Sequence, residues 1–201
     1  GKYLLLPPGY KGEVPEGYFV AHSRTFGNLL FFRTFVKDGD PKPGVESVKK
    51  NLRVYPLSQA ANPPQMKIVD ISGKAFNTIG PSNFDAFEYV NQVIQRESQD
   101  SMDPQTLGVL AAVGIEKGKP FAPDARMKKI LTEAAAVGDA TVRSLTYRCR
   151  IKDAYYYPDS AWMTLFIGGS YQFEQKGVRL LDAYSAFFFY ATGITPAMAI
   201  K

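Results

Sequence analysis

The chain has 201 residues, with 24 Lys and Arg against 19 Asp and Glu, one histidine and a net charge of +5. Its length suits one domain or two small ones with a substantial buried core, and 45% hydrophobic with 21% charged residues is the balance of a globular protein. No run approaches the ~20 apolar residues that span a bilayer, and no signal-type leader opens the sequence. Cys149 is the only cysteine, which excludes a disulfide framework within the chain and any multi-cysteine zinc site.

In chain order, Tyr3–Leu6 and Tyr18–Val36 are rich in aromatic and β-branched residues, and Pro7, Pro8, Gly9 and Gly12 supply turn chemistry between them. This predicts a β-hairpin or meander with strands near 2–6, 17–22 and 29–36. The run from Lys37 to Gly44 is a loop, and Val45–Arg53 reads as a short helix with Val45, Val48 and Leu52 on one face. Ser58 to Gly80 is irregular, with one short strand at Lys67–Ile71. A helix over 83–97 follows, with Ser82 as its cap and Phe84, Phe87, Val90, Val93 and Ile94 at helical spacing.

Asp103-Pro104 starts another helix, which Gly114 and Ile115 close with a left-handed cap. A longer helix begins near Pro123-Asp124, with Met127, Ile130, Leu131, Ala134, Val142 and Leu145 on one face and Gly138 as a place where it can bend. Met163–Ile167 is a strand or a buried turn. The last helix, 178–191, is ended by Gly193. Strands thus give way to helices near residue 80, which is an α+β pattern. The aromatic closing segment is expected to lack a packing partner within the chain.

Few side chains carry a chemical signal. His22 stands alone, so His-rich metal centres and two-imidazole mechanisms are excluded, and Gly168-Gly169-Ser170 is not a nucleophile elbow. Gly168-Gly169 also lacks the lysine and the spacing of a phosphate loop, so it reads as a tight turn. No motif implies a cofactor or a metal. Cys149 between Arg148 and Arg150 is either a reactive thiol or, the favoured reading, a small semi-buried side chain. The basic residues Arg126, Lys128, Lys129, Arg143, Arg148, Arg150 and Lys152 form the solvated face of a helix in preference to a nucleic-acid surface.

Glu174, Arg179 and Asp182 are the polar residues of most interest. Asp182 lies in an apolar stretch, where a carboxylate needs a partner, and Arg179 three residues earlier is in helical reach. An Arg179–Asp182 ion pair is the favoured reading. The alternative is a ligand pocket near these two, with Tyr184, Tyr171 and Trp162 as further lining. A pair of catalytic carboxylates would need Glu174 or Glu88 facing another acid across a cleft.

Three sets of residues resemble a known bacterial pair of domains. They are Gly1–Pro15 with Leu30-Phe31-Phe32-Arg33-Thr34; Gly114–Asp124; and Gly168–Tyr171 with Gly177–Asp182 and Ala191–Met198. Together they resemble domain of unknown function 1254 followed by domain of unknown function 1214. The resemblance implies a protein of about twice this length, β-rich at each end and often exported, hence periplasmic or secreted. It implies three regions here: 1–80, the end of a β-rich first domain; 81–160, a helical connection; and 161–201, the start of a second domain. The partner it implies is the remainder of the same polypeptide; further copies in a homo-oligomer are expected beside it, while the residues themselves argue for no nucleic acid and no membrane span. The resemblance carries no catalytic residue, and enzymatic activity stays open.

Overall fold

The computed structural model describes residues 1–30, 32–75 and 79–191, so Gly193 and the segment around Pro196 lie outside the described residues. The fold is α+β, with helices and two small two-stranded sheets. It divides into two compact units, Gly1–Ala75 with Arg96–Pro104, and Phe76–Gln95 with Gln105–Lys201.

The first unit opens with β1 (Tyr3–Leu6) and β2 (Phe19–His22), paired in parallel from Tyr3 opposite Phe19 to Leu6 opposite His22. This corrects the predicted hairpin. Parallel pairing needs a crossover of about a dozen residues, and 7–18 supplies one, with Gly9 and Gly17 at positive φ to turn it. Leu4 and Leu6 are buried and their neighbours exposed, the alternation of a half-covered strand. The predicted strands at 29–36 and 67–71 are not formed among the described residues. Leu29, Phe32 and Phe35 stand exposed there instead, since β propensity alone cannot hold a strand that has no neighbour to receive its backbone hydrogen bonds. Asp38 and Gly39, both at positive φ, turn the chain tightly between Lys37 and Asp40. The first helix, α1 (Lys42–Asn51), begins ahead of its predicted start because Pro43 is at home in a first turn.

Glu97 is the buried anchor of this unit, with 3% of its surface exposed. Its carboxylate accepts hydrogen bonds from the backbone N–H of Phe26 at 2.5 Å and of Gly27 at 3.0 Å, and Arg96 Nε donates to it at 2.8 Å. Burial pushes the carboxyl upward, but these donors outweigh it and hold Glu97 below the usual carboxylate value. Upstream, Ser23 Oγ lies 2.8 Å from Asn28 Oδ1 and 2.7 Å from the Thr25 carbonyl, so the 23–28 turn is tied from both ends.

In the second unit, α2 (Asp85–Arg96) forms where a helix was predicted but starts two residues later, with Asn83 in place of Ser82 as its cap, through Asn83 Oδ1 and the Asp85 N–H at 3.0 Å. Its far end is closed by Lys117, whose Nζ donates to the carbonyls of Ile94 and Gln95, a cation placed on a helix C-terminus. Gln95 returns the tie, donating to the Glu116 carbonyl at 2.9 Å and accepting from the Gly118 N–H at 2.8 Å. The next helix, α3 (Pro104–Ala112), ends as the sequence predicts. Gly114 has φ of 87°, its N–H bonds to Ala111 and that of Ile115 to Leu110, and Ile115 is buried. Then α4 (Ala125–Tyr147) runs unbroken through Gly138, capped by Asp124 Oδ1 on the Met127 N–H at 2.7 Å. No described helix is long and apolar enough to cross a membrane.

Candidate functional site

All five sequence-predicted ligand residues fall in the last third of the chain. A hairpin of β3 (Glu174–Gln175) and β4 (Val178–Arg179) turns at Lys176-Gly177, both at positive φ as a two-residue hairpin demands. It leads into α5 (Leu181–Phe189). Ala183 and Ala186 are fully buried, and α5 packs against α4. The closing segment therefore has a partner within the chain, correcting the expectation that it would have none. Cys149, Ala154, Ile167, Phe173 and Ala183 form the buried cluster, with Ile151, Tyr155, Leu165 and Phe187 around it. Tyr155 donates its hydroxyl to the Cys149 carbonyl at 2.9 Å. Cys149 is thus a buried core side chain, more fully enclosed than the semi-buried position read from the sequence.

Phe173 is the hub of this cluster, 4% exposed and with ring centroids 5.3–6.1 Å from those of Phe166, Tyr184, Phe187 and Phe188. Its φ is 55°, a left-handed conformation that costs a bulky residue energy and is held only by its surroundings. Gly168 and Gly169, at φ of 65° and 76°, form the tight turn read from the sequence.

The predicted Arg179–Asp182 pair is not formed. Asp182 is held by Arg150 in a two-pronged pair, Nε to Oδ2 at 2.7 Å and Nη2 to Oδ1 at 2.6 Å. Arg179 lies in β4, outside the helix, so the three-residue spacing does not bring it alongside Asp182. Its guanidinium instead sits 4.8 Å from the centre of the Tyr184 ring. Trp162 and Tyr171 are 75% and 78% exposed. Of the five, then, the structure joins Arg179 with Tyr184 and gives Asp182 a partner the sequence did not suggest. Arg150 was visible only as one of the basic residues beside Cys149.

The Arg150 hydrogen bonds outweigh partial burial and, with its charge, hold the Asp182 carboxyl below its ordinary 3.8. A depressed carboxyl contributes stability above its unfolded value and loses it as pH falls through the folded one. Asp182 also lies in the first turn of α5, where negative charge is favourable. Asp182→Asn is expected to cost about 1 kcal/mol at neutral pH and to flatten the acid limb of a thermal-stability profile below pH 3.8.

Three of the basic residues are engaged: Lys128 lies over the Phe84 ring, Arg143 pairs with Asp139 at 2.8 Å and Arg150 pairs with Asp182. In the first unit His22 is exposed on β2, and the Ser23 hydroxyl is engaged by Thr25 and Asn28, which leaves no nucleophile–base dyad between these neighbours. No cluster of three or more metal-ligating side chains occurs among the described residues. A shallow groove of about 400 Å³ runs along α4, lined by Val137, Ala140, Thr141, Ser144, Leu145, Arg148 and Arg150. Asp182 approaches it only through its partner Arg150. Glu97, Gln95 and Phe173 were missed from the sequence, since nothing local marks a residue whose partners are distant.

No curated protein matches the chain. Residues 1–56, which carry β1, β2 and α1, match a family model described as protein of unknown function (DUF1254).

Proposed function

We propose that this chain is an interface-forming part of a larger, exported, multidomain assembly, with 1–80 closing a β-rich first domain, 81–160 connecting and 161–201 opening a second domain of the 1214 kind. Its partners are the remainder of the same polypeptide and further copies of the chain. The match of residues 1–56 to the 1254 family model supports the first of these assignments. The observation that carries the proposal is the β1–β2 pair. Parallel sheets are normally covered on both faces, and two strands alone are marginal in water. Yet all four residues of β2 are exposed, and the Tyr3 and Phe19 rings stand together in solvent with centroids 5.3 Å apart. Exposed apolar surface of this kind marks a place that another surface covers.

A ligand binder centred on Arg179 and Asp182 is the weaker reading, because Tyr184 and Arg150 already engage these two side chains. The test is the intact mass of the natural protein together with amide exchange over 19–22. A mass well above 22.3 kDa, with slow exchange in the natural protein and fast exchange in the 201-residue chain, is the expected result. A natural protein of the 201-residue mass, with equal exchange in both samples, would overturn the proposal.

A further inference from the structure

One face of α4 carries a row of exposed residues. Glu133, Val137, Ala140, Thr141 and Ser144 fall within about 100° of arc at 3.6 residues per turn; Arg148, the residue that caps the end of α4, lines the same groove as the last four, and all six are exposed, Val137 by 66%. The buried residues of α4, Leu145 and Leu131, lie roughly 90° and 130° from the centre of this stripe, so the stripe is centred away from the face that packs into the core. The centre of the stripe is made of small side chains. Thr141 donates its hydroxyl to the Val137 carbonyl at 2.7 Å, so its one donor is used within the helix. The groove of about 400 Å³ is lined by Val137, Ala140, Thr141, Ser144 and Arg148, with Leu145 and Arg150 at its side.

The ends of the stripe carry opposite charge, Glu133 at one and Arg148 at the other. Turning a second α4 antiparallel about the Ala140–Thr141 midpoint sets Val137 opposite Ser144, Ala140 opposite Thr141 and Glu133 opposite Arg148, twice over by symmetry. A parallel arrangement would place Glu133 on Glu133 and Arg148 on Arg148, which is repulsive. An isologous two-fold contact requires a patch that complements itself, and charge complementarity here selects the antiparallel one. We propose that α4 is a homodimer interface, two copies packing antiparallel through this stripe with Glu133 of each facing Arg148 of the other.

The proposal rests on the reading that the chain works in an assembly, and the experiment separates the two. Sedimentation of the 201-residue chain is measured for wild type, Glu133→Arg, Arg148→Glu and the double variant. Each single reversal is expected to weaken the dimer roughly tenfold, and the double variant to return it to near wild type. In oxidative cross-linking, Ala140→Cys at the centre of the stripe is expected to give a covalent dimer, and Val109→Cys on the exposed surface of α3 to give none. Association that ignores the reversals, or equal cross-linking at both positions, would overturn the α4 interface while leaving the broader proposal standing. A chain that stays monomeric at all concentrations, including one whose stripe binds an acidic helical peptide instead, would overturn the dimer. The mass and exchange results decide the broader proposal separately.

Discussion

Replacing Phe173 with alanine is expected to raise the rate at which Cys149 reacts with an aqueous thiol reagent by roughly two to three orders of magnitude. The two residues share one buried cluster, and Cys149 is the only cysteine, so its modification reports opening of that cluster alone. Removing a buried phenyl ring costs about 3–5 kcal/mol, and the neighbouring rings of Phe166, Tyr184, Phe187 and Phe188 would lose their common contact. Phe173→Gly should be somewhat less damaging than its size suggests, because glycine accepts a φ of 55° without strain. An unchanged Cys149 rate in Phe173→Ala would show that the cluster does not depend on its central ring.

Glu97→Gln is expected to lower the melting temperature by roughly 5 °C and to speed amide exchange at Phe26 and Gly27. Both oxygens of the carboxylate accept backbone N–H groups, whereas an amide offers one acceptor and turns a donor toward the other N–H. The pH dependence follows from the same contacts. Because the folded carboxyl is held below its ordinary 4.5, its contribution is complete at neutral pH and disappears as pH falls through the depressed value. The wild type should therefore lose stability in acid more steeply than the variant. Gly27→Ala tests the clamp from the other side, since a Cβ there would lie 2.6 Å from Arg96 Nη2 and 2.9 Å from Glu97 Oε1. A variant with unaltered melting and exchange would show that the clamp is dispensable.

Features whose causes lie within a few residues were legible in the sequence. Asp124 caps α4 three residues ahead of the N–H it accepts, and Gly114 with Ile115 closes α3 on carbonyls three and five residues back. The α+β pattern follows from where such signals stop and start. What failed depends on distance or on a change of element. The direction of β2 relative to β1 is set by a twelve-residue crossover, and a turn-rich sequence there suits a hairpin equally well. Arg179 and Asp182 are three apart, but one lies in a strand and the other in a helix, so helical reach did not apply. Arg150 reaches Asp182 across 32 residues, a separation no local pattern encodes. At the candidate site Arg179, Tyr184 and Asp182 have partners that no local pattern foresaw, while Trp162 and Tyr171 stand exposed.

The Glu97 clamp also sets an order of events during synthesis. The amides it holds, at 26 and 27, precede it by 71 and 70 residues. On a ribosome adding 5–20 residues per second, that segment waits roughly 4–14 s for its anchor to be made. The helix caps at Asp124 and Gly114 close as soon as a few further residues follow. The 26–27 segment and the apolar residues Leu29, Leu30, Phe32 and Phe35 beside it are thus made before their anchor and fixed late, which makes the nascent first unit the stage at which a chaperone would be of most use.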